Sequence, residues 1–299
     1  MKIWIIGGSG GIGSKFVKKF SENYDVHFTY FQNKIKTLKK GDKLDITNKK
    51  STIEYIKKLK PNIVIHCAAL ANVDLCEEDK KLADKINVEG CKNIVESCKI
   101  TDSKLIFIST SFVFDGKKKE YFEKDKTSPS TYYGYTKVKG EEIIKKSGLS
   151  YLILRIDQPY CWIEDNQRMN SVLRVIETLK REKILYEIED WYNTPTYVPD
   201  LVFATLKLIK NNSNGIFHVV GSDFINRYDW SMYVAKKFKL DQTKIKSINS
   251  EKLNLTVKRP NINLKNLKIS KEIKFKMNGI KEGVTLMKKE ISNSWLFNF

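Results

Sequence analysis

The sequence predicts an α/β protein built on a Rossmann-type doubly wound parallel sheet, with a smaller C-terminal lobe. Two observations carry this prediction. Ile3 to Ile6 is an unbroken apolar run, as expected of a strand buried on both faces of a parallel sheet. The glycine-rich stretch Gly7 to Gly13 follows directly, and a helical pattern then places Phe16 and Phe20 on one face. Strand, glycine turn and helix form the first half of a nucleotide-binding βαβ unit.

The glycine turn is the first candidate functional element. Two spacings fit it: Gly8, Gly10 and Gly13 match GxGxxG, whereas Gly7, Gly10 and Gly13 match GxxGxxG. Glycine lets the backbone approach a pyrophosphate closely, and the helix N-terminus that follows offers free N–H groups to that anion. The turn therefore predicts a bound dinucleotide, held by the backbone of Gly7, Gly10, Gly11, Ile12 and Gly13.

The end of the second predicted strand, Val26 to Phe31, bears on the choice of cofactor. A carboxylate there would accept a hydrogen bond from the adenosine 2′-hydroxyl of NAD, but the chain continues Gln32-Asn33-Lys34-Ile35-Lys36. Lys34 and Lys36 would attract the additional phosphate of NADP, although they would equally suit a solvent-facing loop. We therefore expect NADP (NADPH) to be favoured over NAD.

A short third strand is predicted at Leu44 to Ile46. There Asp45 would accept from the adenine amino group with Ile46 beside it, so both are candidate cofactor contacts. Asp45 would alternatively cap the next helix through Thr47.

The fourth strand predicts a second contact with the cofactor. Ile63 to Ile65 is a buried run, and the small residues Ala68 and Ala69 beyond it would let the backbone pass against a dinucleotide. A long helix is predicted from about residue 80 to 99. It contains Asn87 among apolar neighbours, and this amide must be satisfied by hydrogen bonds.

The fifth strand, Lys104 to Thr110, ends in hydroxyl side chains. Because ligands of such sheets bind beyond the carboxyl ends of the strands, Ser109, Thr110 and Ser111 lie where chemistry is expected. On the next predicted helix, Tyr133 and Lys137 are four residues apart and share one face. A YxxxK match is common in a lysine-rich chain, but here it follows both the glycine turn and the hydroxyl-ended strand.

The chemistry of these side chains fits ketone reduction. A phenol has a reference pKa of about 10, and an ammonium on the same helix face, together with a positive nicotinamide, would favour the phenolate. Tyr133 would then give a proton to the forming alkoxide while Thr110 hydrogen-bonds the same oxygen. Lys137 would also hold the nicotinamide ribose.

These residues resemble a known family, the extended short-chain dehydrogenase/reductases, in the set Gly7, Gly10, Gly13, Thr110, Tyr133 and Lys137. The segment STSFVFDG at 109–116 resembles the STDYVFDG of dTDP-4-dehydrorhamnose reductases, and residues 133–141 resemble their YGxTKxxGE. Residues 193–201, 215–221 and 258–264 resemble their GSPTYVxDLA, GIYHVTG and RPxNxxL segments.

The resemblance covers nearly the whole chain and favours the GxxGxxG spacing. It implies an NAD(P)H-dependent reductase of a 4-keto sugar nucleotide. Residues 1–155 would form the cofactor-binding core, and residues 156–299 mainly a substrate-binding lobe, with some segments returning to the core. Substrate contacts would come from Ser111, Phe112, Trp162 and Arg259. Arg259 suits a pyrophosphate, but also a surface ion pair.

One departure lies on the substrate side. After Arg155 the family has a Trp-containing stretch that packs on the sugar nucleotide, whereas here Ile156 to Trp162 reads IDQPYCW. Trp191 and its neighbours Asp190 and Tyr192 are equally compatible with a substrate pocket and with an aromatic turn. The identity of the sugar is therefore left open.

Three alternative functions were weighed. Related dehydratases carry an Asp-Glu pair after the catalytic Thr, where this chain has Ser111 and Phe112, and related epimerases carry a Cys near Phe112, where this chain has none. Both activities are therefore disfavoured. The third alternative is a non-catalytic NADP-binding regulatory subunit resembling the β subunit of methionine adenosyltransferase. The retained Thr110, Tyr133 and Lys137 argue against it.

The composition bounds the partners and the location. The net charge of +19 comes from lysines spread along the chain, which is typical of solvated helix faces, so no specific nucleic-acid binding is expected. The sequence contains no run of about 18 apolar residues, so we expect no membrane span. Because the first predicted strand begins at residue 3, we expect no signal peptide. The five cysteines form no CxxC pair, so we expect reduced thiols, no metal and a cytoplasmic protein. A homodimer is the candidate assembly.

Overall fold

A seven-stranded parallel sheet forms the centre of the molecule, whose computed structural model describes residues 1–35, 37–38 and 41–293. The strand order is β3-β2-β1-β4-β5-β6-β9. Its strands are β1 (Lys2–Ile6), β2 (Asp25–Tyr30), β3 (Gly41–Lys43), β4 (Ile63–His66), β5 (Lys104–Thr110), β6 (Tyr151–Ile156) and β9 (Gly215–His218). The predicted doubly wound α/β fold is confirmed.

Helices cover both faces of the sheet and build the C-terminal lobe. They are α1 (Gly11–Phe20), α2 (Lys49–Leu59), α3 (Val73–Glu78), α4 (Lys80–Ala83), α5 (Gly90–Thr101), α6 (Tyr132–Lys145), α7 (Ser171–Lys180), α8 (Val198–Lys210), α9 (Arg227–Phe238), α10 (Leu267–Ile273) and α11 (Ile280–Asn293). A π-helical segment, Asp84–Glu89, joins α4 to α5, so the helix predicted at 80–99 is irregular near its start. Short 3₁₀ turns occur at Ser111–Val113, Gln242–Lys244 and Ser250–Lys252.

Successive side chains of β1 point to opposite faces of the sheet and so contribute to two separate cores. Ile3 and Ile5 pack with α1, α8 and α10 on one face, whereas Trp4 and Ile6 pack with α2 and α5 on the other. All four side chains are at most 1% exposed, as the apolar run predicted. Because neighbouring strands are parallel, their carboxyl ends meet at one edge.

The third strand differs from the prediction of residues 44–46. It ends at Lys43, although the N–H of Leu44 still donates to the carbonyl of Tyr30 at 2.8 Å. Asp45 then accepts from the N–H of Thr47 at 2.9 Å, which turns the chain toward α2. Asn48, rather than Asp45, is the N-cap of α2.

The C-terminal lobe has its own core. Two small sheets, β7 (Leu185–Ile188) with β11 (Ile245–Ile248) and β8 (Tyr192–Asn193) with β10 (Ile225–Asn226), combine there with α7, α9 and α11. β9 and α8 lie in sequence between parts of this lobe but pack with the main sheet. Within residues 1–35, 37–38 and 41–293, no helix has the length and apolar character needed to cross a bilayer.

Candidate active site

The glycine turn closes on the carbonyl oxygen of Gly7. Gly7 has φ +74°, and the N–H of Gly10 donates to its oxygen at 3.0 Å. A Cβ atom on Gly13 would lie only 2.2 Å from this oxygen. The three glycines of the GxxGxxG spacing therefore meet at one point. Gly8 is small for another reason, since a Cβ there would lie 2.5 Å from Phe28.

Helix α1 begins immediately after the turn and presents its N-terminus there. Ser14 N–H donates to the carbonyl of Gly10 at 2.9 Å and so starts the helical ladder. The N–H groups of Gly11, Ile12 and Gly13 precede it at the positive end of the helix dipole. These residues fit the pyrophosphate of a dinucleotide.

The loop after β4 lies against the same turn. A Cβ on Gly7 would come within 2.8 Å of the backbone nitrogen of Ala68, and Ala68 and Ala69 are both half-buried. Asn87 fixes the end of this loop: its amide accepts from Leu70 N–H at 2.8 Å, donates to Leu70 O at 3.1 Å and donates to Thr136 Oγ1 at 3.0 Å. The predicted hydrogen bonding of Asn87 is thus confirmed, and it ties the loop to α6.

The residues expected near the adenine and its ribose differ in their exposure and in their hydrogen-bond partners. Lys34 is exposed beyond the end of β2, whereas Lys36 lies outside the described residues. Asp45 accepts a hydrogen bond from the N–H of Thr47, but Asn48 is the N-cap of α2, so the predicted capping of that helix by Asp45 is not seen. Ile46 is buried beneath α5, and its carbonyl accepts from the Asn93 amide at 2.9 Å.

Thr110 and Tyr133 come together at the carboxyl end of β5. The hydroxyl oxygen of Thr110 accepts from Phe112 N–H at 3.3 Å. It also lies close enough to the Tyr133 phenol to lower the pKa of that group, but burial outweighs this effect and raises the pKa to about 12. Tyr133 therefore keeps its proton at neutral pH.

Lys137 is buried on the same helix, α6, as Tyr133. Its ammonium lies over the Phe107 ring, 3.9 Å from the ring centroid. Burial lowers the pKa of Lys137 to about 8, and its charge helps to lower the pKa of His66 to about 3. The Arg168 guanidinium lowers the pKa of Tyr133, against the larger effect of burial. The proposed stabilisation of a phenolate by Lys137 together with a positive nicotinamide stays a prediction.

Ser109 belongs to a buried support that the sequence did not predict. Its hydroxyl donates to Glu141 Oε1 at 2.6 Å. Arg155 donates from Nε to Oε1 at 2.9 Å and from Nη2 to Oε2 at 2.7 Å of the same carboxylate. This bidentate pair fixes α6 against β5 and β6, one residue before each strand ends.

Ser111 and Phe112, expected to contact the substrate, are almost completely buried. The Phe112 ring packs edge-on against Tyr133 with centroids 6.1 Å apart. Ser111 donates to Asp157 Oδ1 at 2.8 Å. Asp157 was missed as a site residue, although it is a polar residue at the carboxyl end of a strand, the same signal that identified Thr110.

Two further expected substrate contacts, Trp162 and Arg259, have partners within the protein. Trp162 is 8% exposed, and its indole donates to Met287 O at 2.6 Å, so it is a core residue of the lobe. Arg259 donates to the carboxylate of Asp74 at 2.6 Å and to Val257 O at 2.7 Å. Of its two predicted roles, the ion pair is the one that this geometry favours.

A cavity of about 510 Å³ opens between the core and the lobe. From the core it is lined by Asp115 and Gly116, just beyond the Thr110 turn, and by Ser130, three residues before Tyr133. The lobe contributes Asp190, Trp191, Ser250 and residues 257–261, which include Lys258 and Arg259. Trp191 therefore lines a pocket, as one of its two predicted roles required.

Comparisons with known proteins agree with this architecture. The sequence model of the family described as RmlD substrate binding domain matches residues 1–293. The chain is 28% identical over 242 residues to dTDP-4-dehydrorhamnose reductase of Aggregatibacter actinomycetemcomitans, covering 78% of each. It is 24% identical over 254 residues to methionine adenosyltransferase 2 subunit beta of Rattus norvegicus, covering 83% of this chain and 75% of the relative.

Among solved structures, dTDP-4-dehydrorhamnose reductase from Bacillus anthracis in complex with NADP superposes with a TM-score of 0.87. The two sequences are 26% identical, and the match covers 97% of this chain and 99% of that one.

Proposed function

The chain belongs to the RmlD substrate binding domain family, and we propose that it is an NAD(P)-dependent reductase of a 4-keto sugar nucleotide. The observation that carries this proposal is the packing of Tyr133 against the Thr110 turn at the carboxyl edge of the sheet, where the Phe112 and Tyr133 ring centroids lie 6.1 Å apart. The glycine turn lies along the same edge, and the cavity opens beside it. A ketone in this crevice would face both the cofactor and the phenol.

The proposed reaction is reduction of the ketone to an alcohol. A dinucleotide whose pyrophosphate is held at the glycine turn would supply the hydride from its nicotinamide. Tyr133 donates its proton to the carbonyl oxygen as the carbon gains the hydride, so the C=O π pair becomes the new O–H bond. A phenol with a pKa of about 12 suits this role, because it is protonated at neutral pH and faces a still more basic alkoxide.

Thr110 and Lys137 assist from two sides. The Thr110 hydroxyl lies close to the Tyr133 phenol, and its hydrogen would turn to the substrate oxygen once a ketone is bound. This donor would stabilise the charge that develops on that oxygen. Lys137 extends along the same face of α6 and would hold the nicotinamide ribose.

NADPH is proposed as the preferred cofactor. β2 ends without a carboxylate, and Lys34 is exposed directly beyond it. The structural neighbour from Bacillus anthracis holds NADP. A phosphate on the adenosine ribose would meet a cation here and no acidic side chain at 31–35.

The cavity is the proposed site of the nucleotide part of the substrate. Trp191 offers an aromatic surface to a base, and Lys258 offers a cation to a diphosphate. Asp115 and Ser130 in the cavity lining lie near Thr110 and Tyr133 in sequence, so the sugar would lie between the cavity and the Tyr133 phenol. dTDP is the nucleotide named in the reductase relative.

A second candidate function is a non-catalytic NADP-binding regulatory subunit. The similarity to methionine adenosyltransferase 2 subunit beta over 83% of this chain favours it. Against it, Thr110, Tyr133 and Lys137 are all present, and Thr110 lies close to Tyr133. We retain the reductase as the proposed function.

The test is turnover by the purified chain. NADPH oxidation is followed with 4-keto sugar nucleotides that share one sugar but carry dTDP, UDP or GDP. The reductase proposal expects oxidation with at least one of them and one alcohol formed per NADPH consumed. Binding of NADPH without oxidation of any panel member would favour the regulatory subunit.

A further inference from the structure

Asp157 is a buried carboxylate beside the proposed catalytic residues. It follows β6 directly and is 2% exposed. Its Oδ1 accepts from Ser111 Oγ at 2.8 Å, and its Oδ2 accepts from Thr194 N–H at 2.8 Å. A carboxylate is costly to bury, and burial raises the pKa of Asp157 to about 6. The proposed reaction makes no direct use of this group.

The hydrogen bond to Ser111 holds the turn that carries Thr110. Ser111 is the next residue, and it begins the 3₁₀ turn in which Phe112 N–H donates to Thr110 Oγ1. Thr110 also pairs with Ile156 in the sheet, one residue before Asp157. The carboxylate therefore fixes the Thr110 turn to the neighbouring strand.

The same residue joins this turn to the lobe. Asp157 N–H donates to Thr196 Oγ1 at 3.1 Å, and Thr196 N–H donates to Asp157 O at 2.8 Å. With the bonds from the N–H and the hydroxyl of Thr194 to Oδ2, four hydrogen bonds link Asp157 to residues 194–196. Asp157 thus lies between the catalytic turn and the segment that leads from the cavity wall.

The position of the carboxylate explains a sequence difference. In the family segment STDYVFDG the third residue is acidic, whereas this chain has Ser111 there. The structure places the Asp157 carboxylate within 2.8 Å of the Ser111 hydroxyl. This chain therefore also has a carboxylate beside this turn, placed just after the end of the adjacent strand β6.

We propose that Asp157 is a positioning residue that supplies, from the end of β6, the carboxylate that the family carries at position 111, and that it holds Thr110 in place for catalysis. This inference rests on the proposed reductase function for its kinetic consequence. The structural part, that the Asp157 carboxylate orders the turn at 110–113, is independent of turnover.

The test exchanges the two side chains. Asp157→Ser removes the carboxylate, and Ser111→Asp combined with Asp157→Ser restores it on the other strand. Asp157→Ser is expected to lower kcat by about tenfold to a hundredfold, as for a misplaced catalytic group, with KM and the Kd for NADPH changed less than about threefold. The exchanged variant is expected to recover most of kcat.

Ser103→Ala is the matched control, because Ser103 has a buried hydroxyl that donates to Pro61 O at 2.6 Å at the opposite end of β5. It is expected to lower stability without lowering kcat. If Asp157→Ser folds poorly, Ser111→Ala removes the same hydrogen bond and leaves Thr194 paired with Asp157. It is expected to lower kcat in the same way.

A second readout needs no turnover. Amide hydrogen exchange at 110–113 is expected to speed up at least about tenfold in Asp157→Ser and to slow again in the exchanged variant. If the wild-type protein is inert but amide hydrogen exchange at 110–113 slows again when the two residues are swapped, the reductase function is refuted and the positioning role is kept. Unchanged hydrogen exchange and kcat in Asp157→Ser, or an exchanged variant no better than Asp157→Ser, would overturn the inference.

Discussion

The ammonium of Lys137 lies 3.9 Å from the centroid of the Phe107 ring, with both side chains at most 3% exposed. Burial lowers the pKa of Lys137 to about 8, so its charge depends on pH within a range where the protein can be studied. A lysine that holds the cofactor ribose would then act differently at pH 7 and pH 9.

We expect the affinity for NADPH to fall as the pH rises through about 8, because Lys137 loses its proton. Fluorescence titration at several pH values measures this. Lys137→Arg should remove the pH dependence of NADPH affinity, and Lys137→Met should bind NADPH weakly at every pH.

Lys137 should affect the free energy of unfolding in the opposite direction. Its pKa in the folded protein is lower than the usual 10.5, so unfolding binds protons and stability rises between about pH 8 and 10.5. An affinity independent of pH in the wild-type protein would contradict the role of Lys137.

The glycine turn predicts a difference between two neighbouring substitutions. A Cβ on Gly13 would lie 2.2 Å from Gly7 O and must displace the turn, whereas a Cβ on Gly11 would meet Ile163 at an ordinary 3.7 Å. Gly13→Ala should therefore raise the Kd for NADPH at least about tenfold, and Gly11→Ala much less. Calorimetric titration of both variants tests this, and equal losses would show that the carbonyl of Gly7 does not organise the site.

The buried pair of Arg155 and Glu141 predicts non-additive stability. Glu141→Leu leaves a buried guanidinium uncompensated and should lower the free energy of unfolding by about 3–5 kcal/mol. Adding Arg155→Met should restore much of this loss, because the remaining charge is removed. Urea unfolding of the single and double variants provides the measurement. A double variant as unstable as the sum of both single changes would contradict this account.

The choice of cofactor predicts a selective effect of Lys34. Lys34→Ala should weaken NADPH binding by about threefold to fivefold, the range of an exposed charge contact, and leave NADH binding unchanged. Parallel titrations with both cofactors measure the ratio. Tighter binding of NADH than NADPH by the wild-type protein would refute the proposed preference.

Much of the fold could be predicted because its signals are local. The apolar run at Ile3 to Ile6 and the hydroxyl-ended strand at 104–110 both fall where the structure has them. The third strand was placed too late, since the weak segment Gly41–Lys43 pairs with β2 only through tertiary contacts. The pattern of apolar residues within one segment does not predict pairing with another strand.

The site was predictable where spacing along one element decides it, as for Tyr133 and Lys137 on α6. It was not predictable where separate elements meet. Asp157 is far from Ser111 in sequence, Trp162 is buried by Met287 near the end of the chain, and Arg259 finds Asp74 in α3. Roles of the individual site residues, the homodimer and the cytoplasmic location stay predictions.

The central claim, reduction of a ketone with Tyr133 as proton donor, is tested most directly by comparing wild-type protein with Tyr133→Phe. The measurement is NADPH oxidation with the 4-keto sugar nucleotide panel, alongside NADPH binding. We predict that the wild-type protein turns over and that Tyr133→Phe binds NADPH with similar affinity but loses kcat by about 10²- to 10⁴-fold. Equal activity of the two proteins, or two inert proteins that both bind NADPH, would contradict the account.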